Sequence, residues 1–293
     1  SPGALCGLVG LKPTLGRVSC NGVIPLSWSL DHPGPIARSV YDAAVLLGGM
    51  AGWDPHDPAS VDVAVPDYLA TLHDGVRGLR IAVDPAYAFS SVDPEVEATV
   101  HQALSVLEVL GAELVEVRLA RLGEAHEAPL VILLAEAAAY HEDFLRTRPD
   151  DYEPGGPRIR LEQALTIPGP EYARARRAGQ WIRRDFELLF QDADLFALPT
   201  CAIPAPRIGQ TDTQIRGQTQ TVLASLTRFT RIFNLVGGPA ITVPCGFSEG
   251  GLPIGLQLVG RHWDEATLLR AAYAYEQATN WRRRRPAFGE QAS

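Results

Sequence analysis

The residue types best suited to nucleophilic or metal chemistry are four cysteines and seven histidines, and their spacing favours neither chemistry. No two cysteines make a Cys-x-x-Cys spacing, and no His-x-x-x-His pair lies beside a carboxylate. Cys6 and Cys245 stand in apolar, glycine-flanked segments and are predicted to be buried small side chains, not thiol nucleophiles. Neither a P-loop nor a dinucleotide-binding fingerprint is present. We therefore expect no metal and no cofactor.

Composition limits the class of partner. The 293 residues are 46% hydrophobic and 20% charged, which is the balance of a globular protein with a sizeable core. A net charge of -8 gives little electrostatic reason to expect a nucleic acid or an anionic membrane, so a small-molecule substrate is expected. No apolar run approaches the roughly 20 residues of a membrane span. Four cysteines make no disulfide framework, which favours a reducing cytoplasm.

The elements that must position any site alternate between strand and helix. Ser39 is predicted to cap a helix over 39–51, and the segment 79–117 has the pattern of a β-α-β unit. This alternation predicts an α/β sandwich with a mostly parallel sheet. Residues 1–36 are predicted to be loops and short strands. Further helices are expected at 122–147, 170–191 and 264–279, and further strands at 195–198, 240–243 and 254–259.

Three sequence blocks carry a resemblance to a known family. The first is PGALCGLVGLKPT at 2–14, followed by GRVS at 16–19 and SLDHPGPIAR at 29–38. The second is NLVGGPAITVPCG at 234–246, which continues into GLPIGLQLVG at 251–260. With the shorter block Leu198-Pro199-Thr200, they resemble the amidase signature enzymes over nearly the whole chain. The first block is similar to the segment that follows the family's nucleophile.

The resemblance implies a fold and a mechanism. The fold is α/β, with a large mixed sheet sandwiched by helices and incomplete at the N-terminus. Residues 1–280 would be the C-terminal portion of one domain, and residues 281–293 would be a flexible basic tail.

The mechanism is amide hydrolysis through a serine acyl-enzyme, in which a neutral lysine activates the nucleophile through a second serine on a cis peptide bond. These three groups would lie upstream of Ser1, so no catalytic residue is assigned here. Lys12 matches a structural motif and not the catalytic lysine, and it is expected either to lie at the surface or to anchor a loop. Because Ser1-Pro2 is no natural start and Met50 is the single methionine, the chain is expected to be cut from a longer protein.

Five residues are candidates for the substrate pocket or its support. Asp31 would support the nucleophile loop, or it would simply cap its own loop. Arg160 falls roughly where the tRNA-dependent amidotransferase A subunit, which belongs to this family, has an arginine for the substrate carboxylate; the alternative is an exposed helix residue. Thr200, Thr227 and Phe233 would line the acyl pocket, or they would be ordinary packing residues.

Thr227 bears on the choice of substrate. In the amidotransferase A subunit the amino group of glutamine is held by an acidic residue seven positions before the Asn-Leu-x-Gly motif, and counting back from Asn234 gives Thr227. A neutral hydroxyl makes no such ion pair, so hydrolysis of a small amide is favoured. The amidotransferase A subunit remains the alternative, as does a non-catalytic fragment or scaffold. The expected partner is a small-molecule amide, without direct contact to nucleic acid or membrane, and a homodimer is left open.

Overall fold

The computed structural model describes residues 1–124, 127–153 and 156–285. One seven-stranded sheet has the order β2-β1-β8-β9-β5-β3-β4, and β6 and β7 form a separate hairpin. The strands are β1 Val9–Lys12, β2 Ile36–Ala37, β3 Arg80–Val83, β4 Glu113–Glu116, β5 Leu195–Pro199, β6 Asp212–Ile215, β7 Gln218–Thr221, β8 Ala240–Phe247 and β9 Pro253–Gly260.

Helices flank the sheet, as the family resemblance implies. Helices α2, α4 and α10 contact strands of the sheet, and α6, α8 and α9 contact one another. The helices are α1 Pro2–Leu5, α2 Val40–Met50, α3 Pro85–Ala88, α4 Pro94–Val109, α5 Ala120–Glu124, α6 Ala128–Thr147, α7 Gly156–Ala164, α8 Gly169–Asp192, α9 Val222–Val236 and α10 Glu265–Ala278. In the part of the chain that the structure describes, none of them is both long and apolar enough to cross a bilayer.

The sheet is mixed, and its parallel part is smaller than the strand–helix alternation predicts. Only β3 pairs in parallel, with β4 on one side and β5 on the other. The pairs β1–β2, β1–β8, β8–β9 and β5–β9 are antiparallel. The prediction of a mixed sheet is therefore confirmed, whereas the prediction of a mostly parallel one holds only at the β5-β3-β4 edge.

Capping residues fix the starts of the helices that the sequence predicts. Ser39 Oγ accepts a hydrogen bond from the backbone N–H of Asp42 at 3.1 Å, at the start of α2. Asp93 accepts from Glu95 N–H at 2.8 Å, at the start of α4. An N-terminal side-chain acceptor satisfies a donor that the helix itself leaves unpaired. The predicted helix over 39–51 and the β-α-β unit are confirmed.

Several elements differ from the predictions, and α3, α7, β6 and β7 are not among the predicted elements. Residues 1–36 include the one-turn helix α1, where only loops and strands are predicted. The helix predicted over 122–147 is divided into α5 and α6, and residues 125–126 between them lie outside the described residues. Helix α9 has no counterpart among the predicted elements, although Thr221 caps it and apolar residues recur along one side.

The C-terminal segment begins with a packed turn. Residues Trp281–Arg283 form a 3-10 helix, and the Trp281 ring centroid lies 6.0 Å from that of Phe247 in β8. The Arg284 guanidinium lies 4.8 Å from the Phe247 ring. The predicted tail of 281–293 therefore starts with residues that contact the sheet. Residues 286–293 of that prediction lie outside the described residues.

Candidate functional site

Ser1, which the resemblance places just after the nucleophile segment, lies against helix α9. Its Oγ donates to the Leu226 carbonyl at 2.9 Å and lies 3.2 Å from Thr230 Oγ1. The Cys201 thiol donates to the same carbonyl at 3.4 Å, and burial raises the pKa of this thiol. The first residue of the chain is thus fixed at the middle of α9.

Thr227 and Arg231 lie on the same part of α9, one helical turn apart. Thr227 is half-buried and its hydroxyl donates to the Leu223 carbonyl at 2.6 Å, so the oxygen keeps only acceptor capacity. Arg231 is also half-buried: burial lowers its pKa, the nearby Glu127 carboxylate raises it, and Arg160 lowers it. Arg160 is exposed on α7, and its positive charge is near enough to lower the pKa of Arg231. We call Leu226, Thr227, Thr230 and Arg231 the α9 face.

Thr200 and Phe233 are both buried, and neither lines the cavity described in the next paragraph. Thr200 is 1% exposed, and its Oγ1 lies 2.6 Å from Thr242 Oγ1 in β8. Phe233 is 1% exposed, and its ring centroid lies 5.5 Å from that of Phe186 and 6.3 Å from that of Phe196. The contacts of both residues fit the packing alternative.

A cavity lies beside the loop of residues 26–32, which we call the clamped loop. The cavity, of about 680 Å³, is bounded by this loop, by residues 56–59 and by one side of α8. Asp31 lies in its wall, and its Oδ2 accepts backbone hydrogen bonds from Leu26 at 2.9 Å and Ser27 at 3.0 Å. The loop-capping alternative for Asp31 is therefore present in the structure. The polar and charged residues lining the cavity include Asp31, Asp57, Arg176 and Arg183.

Glu136, on α6, is the residue that holds this loop, and the sequence analysis missed it. It is 2% exposed, and its carboxylate accepts from Ser27 Oγ at 2.7 Å, Ser29 Oγ at 2.7 Å and Ser29 N–H at 3.1 Å. The Tyr172 hydroxyl donates to it at 2.9 Å, and the Arg176 guanidinium lies 3.7 Å away. A single acidic residue in the apolar run of α6 is the only sequence signal for this role, since a buried charge needs partners.

The far end of the clamped loop meets the C-terminus of α9. The Leu30 carbonyl accepts from Asn234 Nδ2 at 2.8 Å and from His32 Nδ1 at 2.7 Å, which puts the proton of a neutral His32 on Nδ1. Burial lowers the pKa of His32 to about 2, with Lys12 and His262 adding to the shift. Lys12 Nζ donates to the carbonyls of Pro13 and Gly238. This contact agrees with the predicted anchoring role of Lys12.

In the described residues, the cysteines are free and the potential metal ligands are not grouped. Cys245 is 3% exposed, as predicted, and burial raises its pKa far above the usual range. The prediction for Cys6 is wrong, because this thiol is exposed at the end of α1, where the left-handed Gly7 turns the chain to the surface. Within the ranges that the structure describes, no three His, Cys, Asp or Glu side chains are grouped to hold a metal ion.

Comparison with known proteins identifies the family. The profile of the Amidase family matches residues 1–269. An amidase from Pseudomonas putida is 45% identical over 287 residues, which are 97% of this chain and 61% of that protein. The A subunit of glutamyl-tRNA(Gln) amidotransferase from Moorella thermoacetica is 40% identical over 310 residues, covering 98% of this chain and 62% of that protein.

A solved structure of similar fold extends this result. It is a chain of a vestigial protein complex connected with the origins of an s-triazine catabolic enzyme, and it superposes with a TM-score of 0.88 at 32% identity. The match covers 94% of this chain and 60% of that one, so this chain spans about three fifths of the length of such relatives. Because the family profile covers most of the chain and both sequence and fold agree with it, the chain belongs to the amidase family.

Proposed function

We propose that this chain is part of an amide hydrolase that converts a carboxamide to a carboxylate and an amine or ammonia through a serine acyl-enzyme. The nucleophile, the bridging serine and the lysine would come from sequence preceding Ser1. The observation that carries the proposal is the contact of Ser1 with Leu226 and Thr230, because a segment entering there would meet the α9 face. Residues of α9 would then border the acyl group.

The proposed reaction needs no group beyond these residues and water. A neutral lysine accepts the proton of the nucleophilic serine through the bridging serine, and the alkoxide attacks the amide carbonyl. Backbone N–H groups of the glycine-rich loop stabilise the oxyanion. The amine leaves with the proton, and water then releases the acid from the acyl-enzyme. The Asp31 carboxylate, which binds backbone N–H groups of the clamped loop, would support the nucleophile segment on the side opposite the α9 face.

Thr227 favours an uncharged substrate. Its hydroxyl donates within the helix, and its neutral oxygen can accept a hydrogen bond but supplies no negative charge to pair with the ammonium group of free glutamine. The whole enzyme would therefore prefer simple or aromatic amides. We also propose a cytoplasmic enzyme with no direct nucleic-acid or membrane partner, and the net charge of -8 supports the absence of those two partners.

The amidotransferase A subunit is the second candidate. The 40% identity to a protein of that name favours it, as does the positive charge of Arg160 and Arg231 near the α9 face. Such charge would suit the carboxylate of an amino-acid amide. Thr227 opposes this reading, because the ammonium group of the same substrate would be left without an acid. A non-catalytic scaffold is the third reading, and activity separates it from the other two.

The test compares the 293-residue chain with the longer protein that contains the preceding segment. We expect no release of ammonia from an aryl carboxamide by the chain alone, and turnover by the longer protein. Replacing the serine of the segment just before Ser1 with alanine should lower kcat by about 10⁶-fold, since such triads act as a unit. Turnover by the chain alone that Ser1→Ala abolishes would show that the nucleophile is misplaced. No turnover by the longer protein would favour the scaffold.

A further inference from the structure

We propose that Trp28 forms the aromatic wall of a subsite for the flat, uncharged part of the amide substrate. The inference rests on the proposed function and names the class of substrate, an aryl carboxamide. Its basis is the cavity beside the clamped loop, together with the way Glu136 fixes the backbone on both sides of Trp28.

The cavity has the size and the lining of a small-molecule site. Its volume of about 680 Å³ lies inside the range of roughly 300–1,000 Å³ that ligand pockets occupy. Trp28 is 51% exposed and lines it with apolar residues that include Val23, Pro25 and Leu30. A half-exposed tryptophan in a concave wall offers a large face for stacking.

The charges around the cavity balance. Two acids, Asp31 and Asp57, and two arginines, Arg176 and Arg183, line the wall. Much of their hydrogen-bonding capacity is already used: Arg183 donates to the carbonyls of residues 235 and 236, and Asp57 accepts from the backbone of residues 20 and 59. A cavity without a strong excess of either sign suits an uncharged ligand better than a carboxylate or an ammonium group.

The backbone beside Trp28 is fixed before any ligand arrives. Ser27 and Ser29, its two neighbours in sequence, both donate to the buried carboxylate of Glu136. Arg176 donates to Ser29 Oγ at 2.8 Å, which adds a contact from α8. An aromatic side chain has few torsions to fix, so its contact on a rigid loop costs little conformational entropy.

A hydrogen bond links the wall of the cavity to helix α9, which carries the α9 face. Leu30, in the cavity wall, accepts a hydrogen bond from Asn234, which lies one helical turn beyond Thr230. The four residues from Thr230 to Asn234 rise about 6 Å along the helix axis. Thr230 contacts Ser1, beside which the nucleophile segment is proposed to enter. An amide whose carbonyl lies near Ser1 would therefore direct its aryl group towards Trp28.

The test measures binding to the 293-residue chain and does not need turnover. Benzamide, cyclohexanecarboxamide and benzoate are titrated into the chain by isothermal calorimetry, with Trp28→Ala, Trp28→Phe and Trp53→Ala as variants. Trp53 is the matched control, because it is 56% exposed and does not line the cavity. We expect saturable benzamide binding that weakens at least tenfold in Trp28→Ala, at most threefold in Trp28→Phe and not at all in Trp53→Ala. The other two probes should bind more weakly than benzamide.

Each contrary outcome overturns the proposal. Equal benzamide affinity in the wild type and Trp28→Ala would show that Trp28 is not the wall, and equal loss in Trp53→Ala would show a nonspecific effect. Absence of saturable binding would assign the cavity to another occupant, such as a segment of the longer protein. Circular dichroism confirms that each variant folds, and Trp28→Leu replaces Trp28→Ala if it does not. Failure of amide hydrolysis in the longer protein overturns the proposed function and leaves the binding result readable.

Discussion

The clamped loop and the α9 face border the same region and differ in how far the chain completes them. Polar groups of the loop find partners within the chain: Asp31 binds two backbone N–H groups, and Glu136 binds both serines. On the α9 face, Thr227 and Arg231 remain half-buried, and in the described residues no hydrogen bond involves the Arg231 side chain. The clamped loop is therefore a rigid wall before substrate binds. The α9 face still has hydrogen-bonding and charged groups available to substrate or to further protein.

The largest effect expected in the 293-residue chain comes from breaking the loop. Glu136→Ala should lower the free energy of unfolding by about 3 kcal/mol, because it leaves two serine hydroxyls, a tyrosine hydroxyl and Arg176 without their buried acceptor. Thr227→Ala on the α9 face should change it by less than about 0.5 kcal/mol. Urea unfolding followed by circular dichroism measures both.

Glu142→Ala is the matched control for this prediction. Glu142 lies on the same helix α6 but is exposed, so its removal tests the change in helix composition alone. We expect it to behave like Thr227→Ala. If Glu142→Ala and Glu136→Ala destabilise equally, the clamped loop is not held by Glu136, and the contrast between the two regions disappears.

Local patterns predicted the helices and strands that begin with a clear cap or a clear apolar run. Ser39 and Asp93 each mark a helix start that the structure confirms. The antiparallel β8–β9 pair had a signal too, since Glu249-Gly250-Gly251 between two apolar runs is typical of a hairpin turn. The prediction used only strand–helix alternation, which gave too much parallel pairing. Only the family resemblance indicated a mixed sheet.

The contacts that define the candidate site could not be predicted in the same way. Glu136 lies 109 residues from Ser27 and 107 from Ser29, so no local pattern connects them. The resemblance singled out Thr200 and Phe233 by motif, but motif membership does not separate a pocket residue from a core residue. Phe233 packs among two other phenylalanines, and only the three-dimensional arrangement shows this.

Acid should weaken the clamped loop through His32. Burial, helped by Lys12 and His262, lowers the pKa of His32 to about 2 in the folded protein, whereas in the unfolded chain it is about 6.5. Below pH 6.5 the unfolded state therefore binds a proton that the folded state does not, and the free energy of unfolding falls as the pH falls towards 2. Urea midpoints measured from pH 7 to pH 4 should decrease for this reason.

Two substitutions separate His32 from other titrating groups. His32→Asn keeps a side-chain N–H for the Leu30 carbonyl but does not titrate, so its stability should depend less steeply on pH than that of the wild type. His56→Asn, at an exposed histidine, is the control for the removal of an imidazole as such. A slope that is the same in His32→Asn and the wild type would show that His32 accepts its proton while folded, and that the far end of the loop is not tightly enclosed.

The smallest expected effect concerns specificity at the α9 face, in the longer protein that contains the segment before Ser1. Thr227→Asp would place a carboxylate where the amidotransferase A subunit holds the amino group of glutamine. We expect kcat/KM for glutamine to rise about tenfold, as one new charged contact to the substrate allows, and kcat/KM for benzamide to fall. Ammonia release measures both substrates in one assay.

Thr219→Asp on the β6–β7 hairpin is the control, because it adds the same charge at an exposed position of β7 that is not among the four residues of the α9 face. It should leave both substrates unaffected. The ratio of kcat/KM for glutamine to kcat/KM for benzamide in the wild-type enzyme separates the two candidate functions. One outcome is that the wild-type enzyme prefers glutamine tenfold or more and gains nothing from Thr227→Asp. Arg160 and Arg231 would then suffice to hold an amino-acid amide, and the amidotransferase reading would replace the aryl-amide one. A wild-type preference for benzamide that Thr227→Asp reduces would show that the α9 face, although left open by this chain, sets the charge of the substrate.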